Sequence, residues 1–176
     1  MRQFFCRARH RVIPWLVFVL VIGAVGHSRA MAAHDSEDIV VKSLVEDFDR
    51  VWEELVDTLN GKGLVVSSTS MIKRMLVNTG EAFGDPKKLF VDAKVLGFCS
   101  ATLAREMFEL DRHNVIFCPY KIAVYSLPSE ADRVFLSFQR ISHGKAKTAK
   151  DHVLRKVDLL LEELVTETIN SIKSFQ

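Results

Sequence analysis

From residue 39 onward, the apolar residues follow two patterns, one typical of strands and one typical of helices. Short runs that are rich in β-branched residues and bounded by turn residues predict strands. The predicted strands are 39–44, 64–70, 89–99, 115–125 and 133–141. Pro119 lies inside the fourth run, and because proline lacks a backbone N–H donor, it indicates an edge position or a bulge there. The turn at 127–130 should join the last two strands into a meander.

Three other segments carry apolar residues at helical spacing. They are a helix from about 47 to 60, a helix at 101–110 and a closing helix at about 149–174. Phe48 and Trp52 belong to the apolar stripe of the first helix, so we expect them to face the sheet. Asn60 and Gly63 supply the stop signal of that helix, and Ser100 is the expected N-cap of the second.

The segment 71–88 has the least regular pattern. Its helical spacing extends only through Leu76, and Gly80, Gly84 and Pro86 then interrupt it, so we interpret the segment as a flap. The predicted element order is therefore β-α-β-β-α-β-β-α. A two-layer α+β sandwich, with a mostly antiparallel sheet and helices packed on one face, buries these stripes most simply.

The first 32 residues differ in composition from the rest of the chain. They contain five Arg and no Asp or Glu, and the uncharged run 12–25 follows the basic stretch. Small residues at Ala30 and Ala32 complete the pattern of a secretory signal peptide at 1–32. We therefore predict one mature α+β domain at 33–176 in a periplasmic or secreted location. The alternative is an inner-membrane anchor at 12–25, although a span needs about 20 apolar residues.

Charge and motifs restrict the function classes. Residues 33–176 carry 19 basic and 22 acidic side chains, a formal charge of −3 that gives no reason to expect nucleic acid as a partner. A membrane partner is expected only if the N-terminal segment is retained. Because the sequence contains no nucleophile with a His and acid partner, no phosphate loop and no dinucleotide fingerprint, we expect no catalytic residue and no cofactor.

Three segments together resemble one known family. They are the opening helix with its terminal glycine at 48–63, the segment FCSATLAREMF at 98–108 and the segment FCPYKIAVY at 117–125. In this order, over about 39–141, they resemble the domain of unknown function 302 family. The resemblance implies a small α+β domain, often dimeric, without an assigned reaction, so no catalytic residue is transferred. Common members lack a cysteine pair, which this chain has at Cys99 and Cys118.

Cys99 and Cys118 are the only cysteines after residue 32. A strand-helix-strand connection fits the residues between them and allows the thiols to meet, depending on the strand register. Four interpretations remain open. They are a structural disulfide, buried free thiols, a redox pair in which the following helix N-terminus favours the Cys99 thiolate, and a metal site completed by His113.

A basic stretch surrounds the start of the closing helix. Its members Lys145, Lys147, Lys150 and Arg155 are candidates for binding an anion, because positive charge at a helix start is otherwise unfavourable. We expect an exported module that binds a small ligand or an envelope protein. The alternatives are a thiol-redox or metal-handling protein that uses the two cysteines, and a structural module that forms a homodimer.

Overall fold

The computed structural model describes residues 38–84, 87–142 and 148–175. Its strands are β1 (Ile39–Val45), β2 (Val65–Ser70), β3 (Asp92–Cys99), β4 (Tyr120–Leu127) and β5 (Glu130–Gln139). Its helices are α1 (Phe48–Gly61), α2 (Ile72–Phe83), α3 (Ala101–Leu110) and α4 (Ala149–Ser174), with a 3-10 helix at Arg112–Phe117. The predicted signal peptide at 1–32 lies outside the described residues. No described helix has the length and apolar character needed to cross a membrane.

The five strands form one sheet in the order β1-β5-β4-β3-β2, and each neighbouring pair is antiparallel. The first strand of the chain thus pairs with the last strand, while β4 lies at the centre. One face of the sheet shares a hydrophobic core with α1, α3 and α4. This arrangement confirms the predicted two-layer α+β sandwich.

The core follows the period-2 pattern of the central strands. Ile122 and Val124 of β4 are fully buried, and Val124 lies opposite the buried Leu136 of β5. Leu55 of α1 and Leu164 of α4 cover this face and are also fully buried. Since the burial of one such side chain stabilises by about 1.5–3 kcal/mol, this layer contact is the main source of stability.

The ends of α1 and α3 are where local signals predict them. The Asp47 side chain accepts hydrogen bonds from the backbone N–H groups of Asp49 and Arg50 at 3.0 and 3.1 Å, which starts α1. Gly63 follows the helix with φ 69°, a left-handed conformation that glycine adopts without strain. Ser100 accepts the Leu103 N–H and caps α3.

Residues 72–83 form a helix, so the predicted flap is wrong over this segment. The helical spacing continues past Leu76, and Ile72 and Leu76 are half-buried where α2 contacts β3. A glycine inside a helix costs only about 1 kcal/mol relative to alanine, so Gly80 does not end the helix when tertiary contacts are available. The observed order therefore contains one helix more than the predicted order.

The predicted strand at 115–125 is wrong in its first half. The 3-10 helix replaces it up to Phe117, and β4 begins only after Pro119, which cannot donate to the sheet. Asp111 accepts the His113 N–H at 2.9 Å, and the Asn114 amide donates to the Met107 carbonyl at 3.0 Å. These hydrogen bonds tie the turn to the end of α3. In the same way, β3 begins at Asp92 instead of residue 89.

Phe48 and Trp52 pack at the margin of the core. They are half-buried, whereas the fully buried stripe of α1 consists of Val51, Leu55 and Leu59. The Lys94 ammonium of β3 lies 5.0 Å from the ring centroid of Phe48 and 5.1 Å from that of Trp52. The two rings thus face the sheet, as expected, and pack against the edge of the core with the Lys94 ammonium beside them.

Candidate functional site

The structure brings the two cysteines together. Cys99 ends β3, Cys118 follows the 3-10 helix, and their Cα atoms are 5.9 Å apart, within the range that a disulfide requires. Both residues are half-buried. The strand register that the sequence could not specify places them at disulfide distance.

The chain is tightly packed beside this pair. Gly97 lies across from Ser68, and a Cβ atom at position 97 would collide with the Ser68 hydroxyl and lie 3.4 Å from Pro119. The Cys118–Pro119 peptide bond is cis. Around this region, Val65 and Ile116 are 73% and 81% exposed. The cysteine pair therefore lies between a tightly packed backbone and an exposed apolar surface.

The candidate metal ligands do not form a site. Within the ranges that the structure describes, no three side chains from His, Cys, Asp and Glu converge as a metal ion would require. His113 is exposed. The geometry thus gives His113 no common site with Cys99 and Cys118.

Only part of the predicted anion site can be located. Lys145 and Lys147 lie outside the described residues. Lys150 is 3.6 Å from the Asp111 carboxylate, and Arg155 is exposed on α4. The backbone N–H of His113 and the charge of Lys150 lower the pKa of Asp111 below its ordinary value.

The start of α4 is already capped. Thr148 and Asp151 exchange hydrogen bonds between side chain and backbone, at 2.9 and 3.2 Å. This capping box places a carboxylate at the helix start, where it offsets the positive charge that motivated the anion site. The four-residue anion site stays a prediction.

Exposed apolar side chains on α2 and on the residues that flank it were not predicted from the sequence. We call them the α2 surface, which consists of Met71, Met75, Val77, Phe83 and Leu89, each between 46% and 86% exposed. Interpreting 71–88 as a flap concealed this surface. The available signal was Phe83, which lies seven residues after Leu76 and eleven after Ile72 and so continues their helical spacing.

A groove lies between α2 and β3. It is lined by Met71, Lys73, Arg74, Val77, Asn78, Asp92, Ala93 and Lys94. The pairing of β2 with β3 ends at Ser70 and Val95, so β3 continues to Asp92 with a strand neighbour only on the β4 side. The groove occupies the position where β2 would otherwise continue.

The model of one protein family, Domain of unknown function DUF302, matches residues 39–172. The match begins with β1 and continues into the last turns of α4. The chain belongs to this family. The DUF302 match confirms the resemblance noted in the sequence and extends it beyond residue 141 through most of the closing helix. No curated protein matches the chain.

A solved structure has the same fold. The crystal structure of uncharacterized conserved protein DUF302 from Bacillus stearothermophilus is similar over 74% of this chain and 97% of that chain, with a TM-score of 0.61. The two sequences are 15% identical. At this identity the similarity concerns the fold alone, and it supports the α+β architecture of this DUF302 domain.

Proposed function

We propose that this DUF302 domain is an exported binding module that docks another protein of the cell envelope on the α2 surface. The observation that carries the proposal is the concentration of exposed apolar side chains between residues 71 and 89. Groups of exposed apolar side chains on a protein surface often mark an interaction site. The signal-peptide pattern at 1–32 supports an envelope location.

The packing of α2 explains why a protein suits this surface better than a small ligand. Ile72 and Leu76 are half-buried, while Met71 and Met75, each about 100° before them around the helix, are 46% and 53% exposed. Small-molecule sites are usually concave, whereas Met75 is 53% exposed and is not among the residues that line the groove between α2 and β3. Unbranched methionine side chains adapt their shape to a protein surface, as in other surfaces that bind helices.

Site-specific photo-crosslinking in cells tests the proposal. A photoreactive residue at Met75 should crosslink one defined envelope protein, and the same residue at Leu159 of α4, which is 59% exposed, should not. The purified partner should then bind the wild-type chain and lose most of its affinity for Met75→Asp. The proposal would be overturned if Met75 crosslinks only to a second copy of the chain, or if both positions give the same products.

The cysteine pair is proposed as a structural disulfide. Its two residues flank the segment that contains α3 and the 3-10 helix. A bond here would close a loop of about 20 residues and stabilise the fold by about 3 kcal/mol on the chain-entropy model. The oxidising envelope compartment would keep the two thiols joined.

A thiol-redox role is the second candidate function. The incomplete burial of both cysteines favours it, because an incoming thiol needs access to a sulfur atom. Titration of the purified chain in glutathione buffers separates the two roles. A structural bond should resist reduction, with a potential below about −300 mV, whereas a midpoint near the glutathione potential would support the redox role.

A further inference from the structure

The groove between α2 and β3 combines apolar and cationic side chains. Met71, Val77 and Ala93 supply apolar surface, and the groove runs beside the first half of α2, up to Asn78. The charged lining residues are Lys73, Arg74, Lys94 and Asp92. Two of the three cations are paired with the carboxylates of Asp92 and Asp49, so the groove carries one excess positive charge, although residues 33–176 carry a net charge of −3.

The three cations of the groove differ in whether they form ion pairs. Lys73 lies 2.9 Å from the Asp92 carboxylate, and Lys94 lies 3.1 Å from that of Asp49. Arg74 is exposed and has no ion pair with another described residue. A guanidinium group binds a carboxylate through two parallel hydrogen bonds, so Arg74 is the member of the groove best suited to an incoming acidic side chain.

We infer that this groove binds an acidic segment of the partner protein, with apolar side chains of that segment against Met71 and Val77 and a carboxylate on Arg74. The inference rests on the proposed function and names the chemistry of the partner. Complementary charge selects a partner and speeds its association, and adjacent apolar contact holds it.

A protein segment fits this geometry better than a lipid surface. Arg74 and Asn78 lie between Met71 and Val77 around the helix, since each residue advances about 100°. The apolar side chains therefore form two rows separated by polar ones. A membrane-bound amphipathic helix instead presents one continuous apolar face to the bilayer.

A second copy of the chain is the other occupant to be tested. Glu53 and Asp57 of α1 border Trp52 and Val56, which makes an acidic surface with apolar neighbours. If this surface filled the groove of another copy, the chain would dimerise. Glu53→Lys would then weaken the dimer as much as Arg74→Glu does, whereas binding of an external acidic segment is unaffected by Glu53→Lys.

The test uses the purified full chain and a fluorescein-labelled synthetic peptide of Glu with Leu at helical spacing. The control peptide has Gln in place of each Glu. At low salt we expect the Glu peptide to bind about tenfold more tightly than the Gln peptide, with the difference decreasing as salt rises. Arg74→Glu should abolish most of this difference. The matched control Arg112→Glu, at an exposed arginine of the 3-10 helix, should leave it unchanged.

Three results of the binding measurements would overturn the inference. They are equal affinity for both peptides, equal effects of Arg74→Glu and Arg112→Glu, and Arg74-dependent binding to phosphatidylglycerol vesicles without a peptide preference. A dimer that Arg74→Glu and Glu53→Lys both dissociate would also assign the groove to a second copy. If a photoreactive residue at Met75 crosslinks an envelope protein in such a case, only the acidic preference has failed. If it crosslinks no envelope protein, the proposed function itself is contradicted.

Discussion

Helices α1 and α2 have similar amphipathic sequences but different surroundings. The inner stripe of α1, with Leu55 and Leu59, is completely buried between the sheet and α4. The inner residues of α2, Ile72 and Leu76, are only half-buried, and the exposed apolar residues surround them. Amphipathic spacing therefore shows that a helix has an apolar face, whereas the neighbouring elements decide how much of that face is covered.

Paired truncations in α1 and α2 should give the largest contrast. Leu55→Ala should lower the free energy of unfolding by about 2–5 kcal/mol, because it leaves a cavity in the core. Met75→Ala, at a side chain that is 53% exposed, should change it by less than about 0.5 kcal/mol. Urea unfolding measures both. Comparable losses in the two variants would mean that α2 is covered in the isolated chain.

The cysteine pair should contribute nearly as much as a core side chain. Replacing Cys99 and Cys118 together with Ser should lower the free energy of unfolding by about 3 kcal/mol if the pair is a structural disulfide. Treating the wild-type chain with a strong reductant should give a similar loss, and the double variant should not respond to that reductant. An unchanged denaturation midpoint would contradict the structural role.

Asp158 should contribute less to the free energy of unfolding than the cysteine pair. It lies on the buried side of α4. Its carboxylate accepts hydrogen bonds from the Ile141 N–H at 2.7 Å and the Ser142 N–H at 3.1 Å, and also from the Ser142 hydroxyl. Asp158→Ala leaves these donors without a partner and should cost about 1–3 kcal/mol. Arg155→Ala, on the exposed side of the same helix, is the control. Equal thermal unfolding of the two variants would contradict this role of Asp158.

The smallest effect is expected at Tyr120 on the covered face of the sheet. Its hydroxyl is buried without a hydrogen-bond partner among the described residues, and burial raises the pKa of Tyr120 to about 12. Tyr120→Phe should therefore change stability at neutral pH by less than about 1 kcal/mol.

The pH dependence of this variant follows from the sign of the shift. A raised pKa means that the contribution of the neutral hydroxyl is complete below pH 10 and is lost as the pH rises toward 12. Tyr120→Phe should accordingly reduce the loss of stability over this range in denaturant titrations. Tyr125, whose pKa is also raised by burial, remains in both proteins as a common background. Identical alkaline unfolding of the variant and the wild type would contradict the prediction.

The sequence alone determined the features that depend on neighbouring residues. Asp47 and Gly63 bound α1 because a cap needs only a side chain or a left-handed backbone within a few positions of the helix end. The turn before Glu130 and the N-cap at Ser100 were predictable for the same reason. The apolar spacings were likewise sufficient for the α+β class, and the resemblance of three segments in their order indicated the family.

Only the tertiary structure decided the features that depend on distant segments. The pairing of β1 with β5, the 5.9 Å between the Cα atoms of Cys99 and Cys118, and the exposure of Met75 all require knowing which elements become neighbours. The persistence of α2 through Gly80 belongs to the same group, since contact with β3 outweighs a weak local preference. Local preferences are small in energy, whereas burial and pairing are larger and act between residues far apart in the chain.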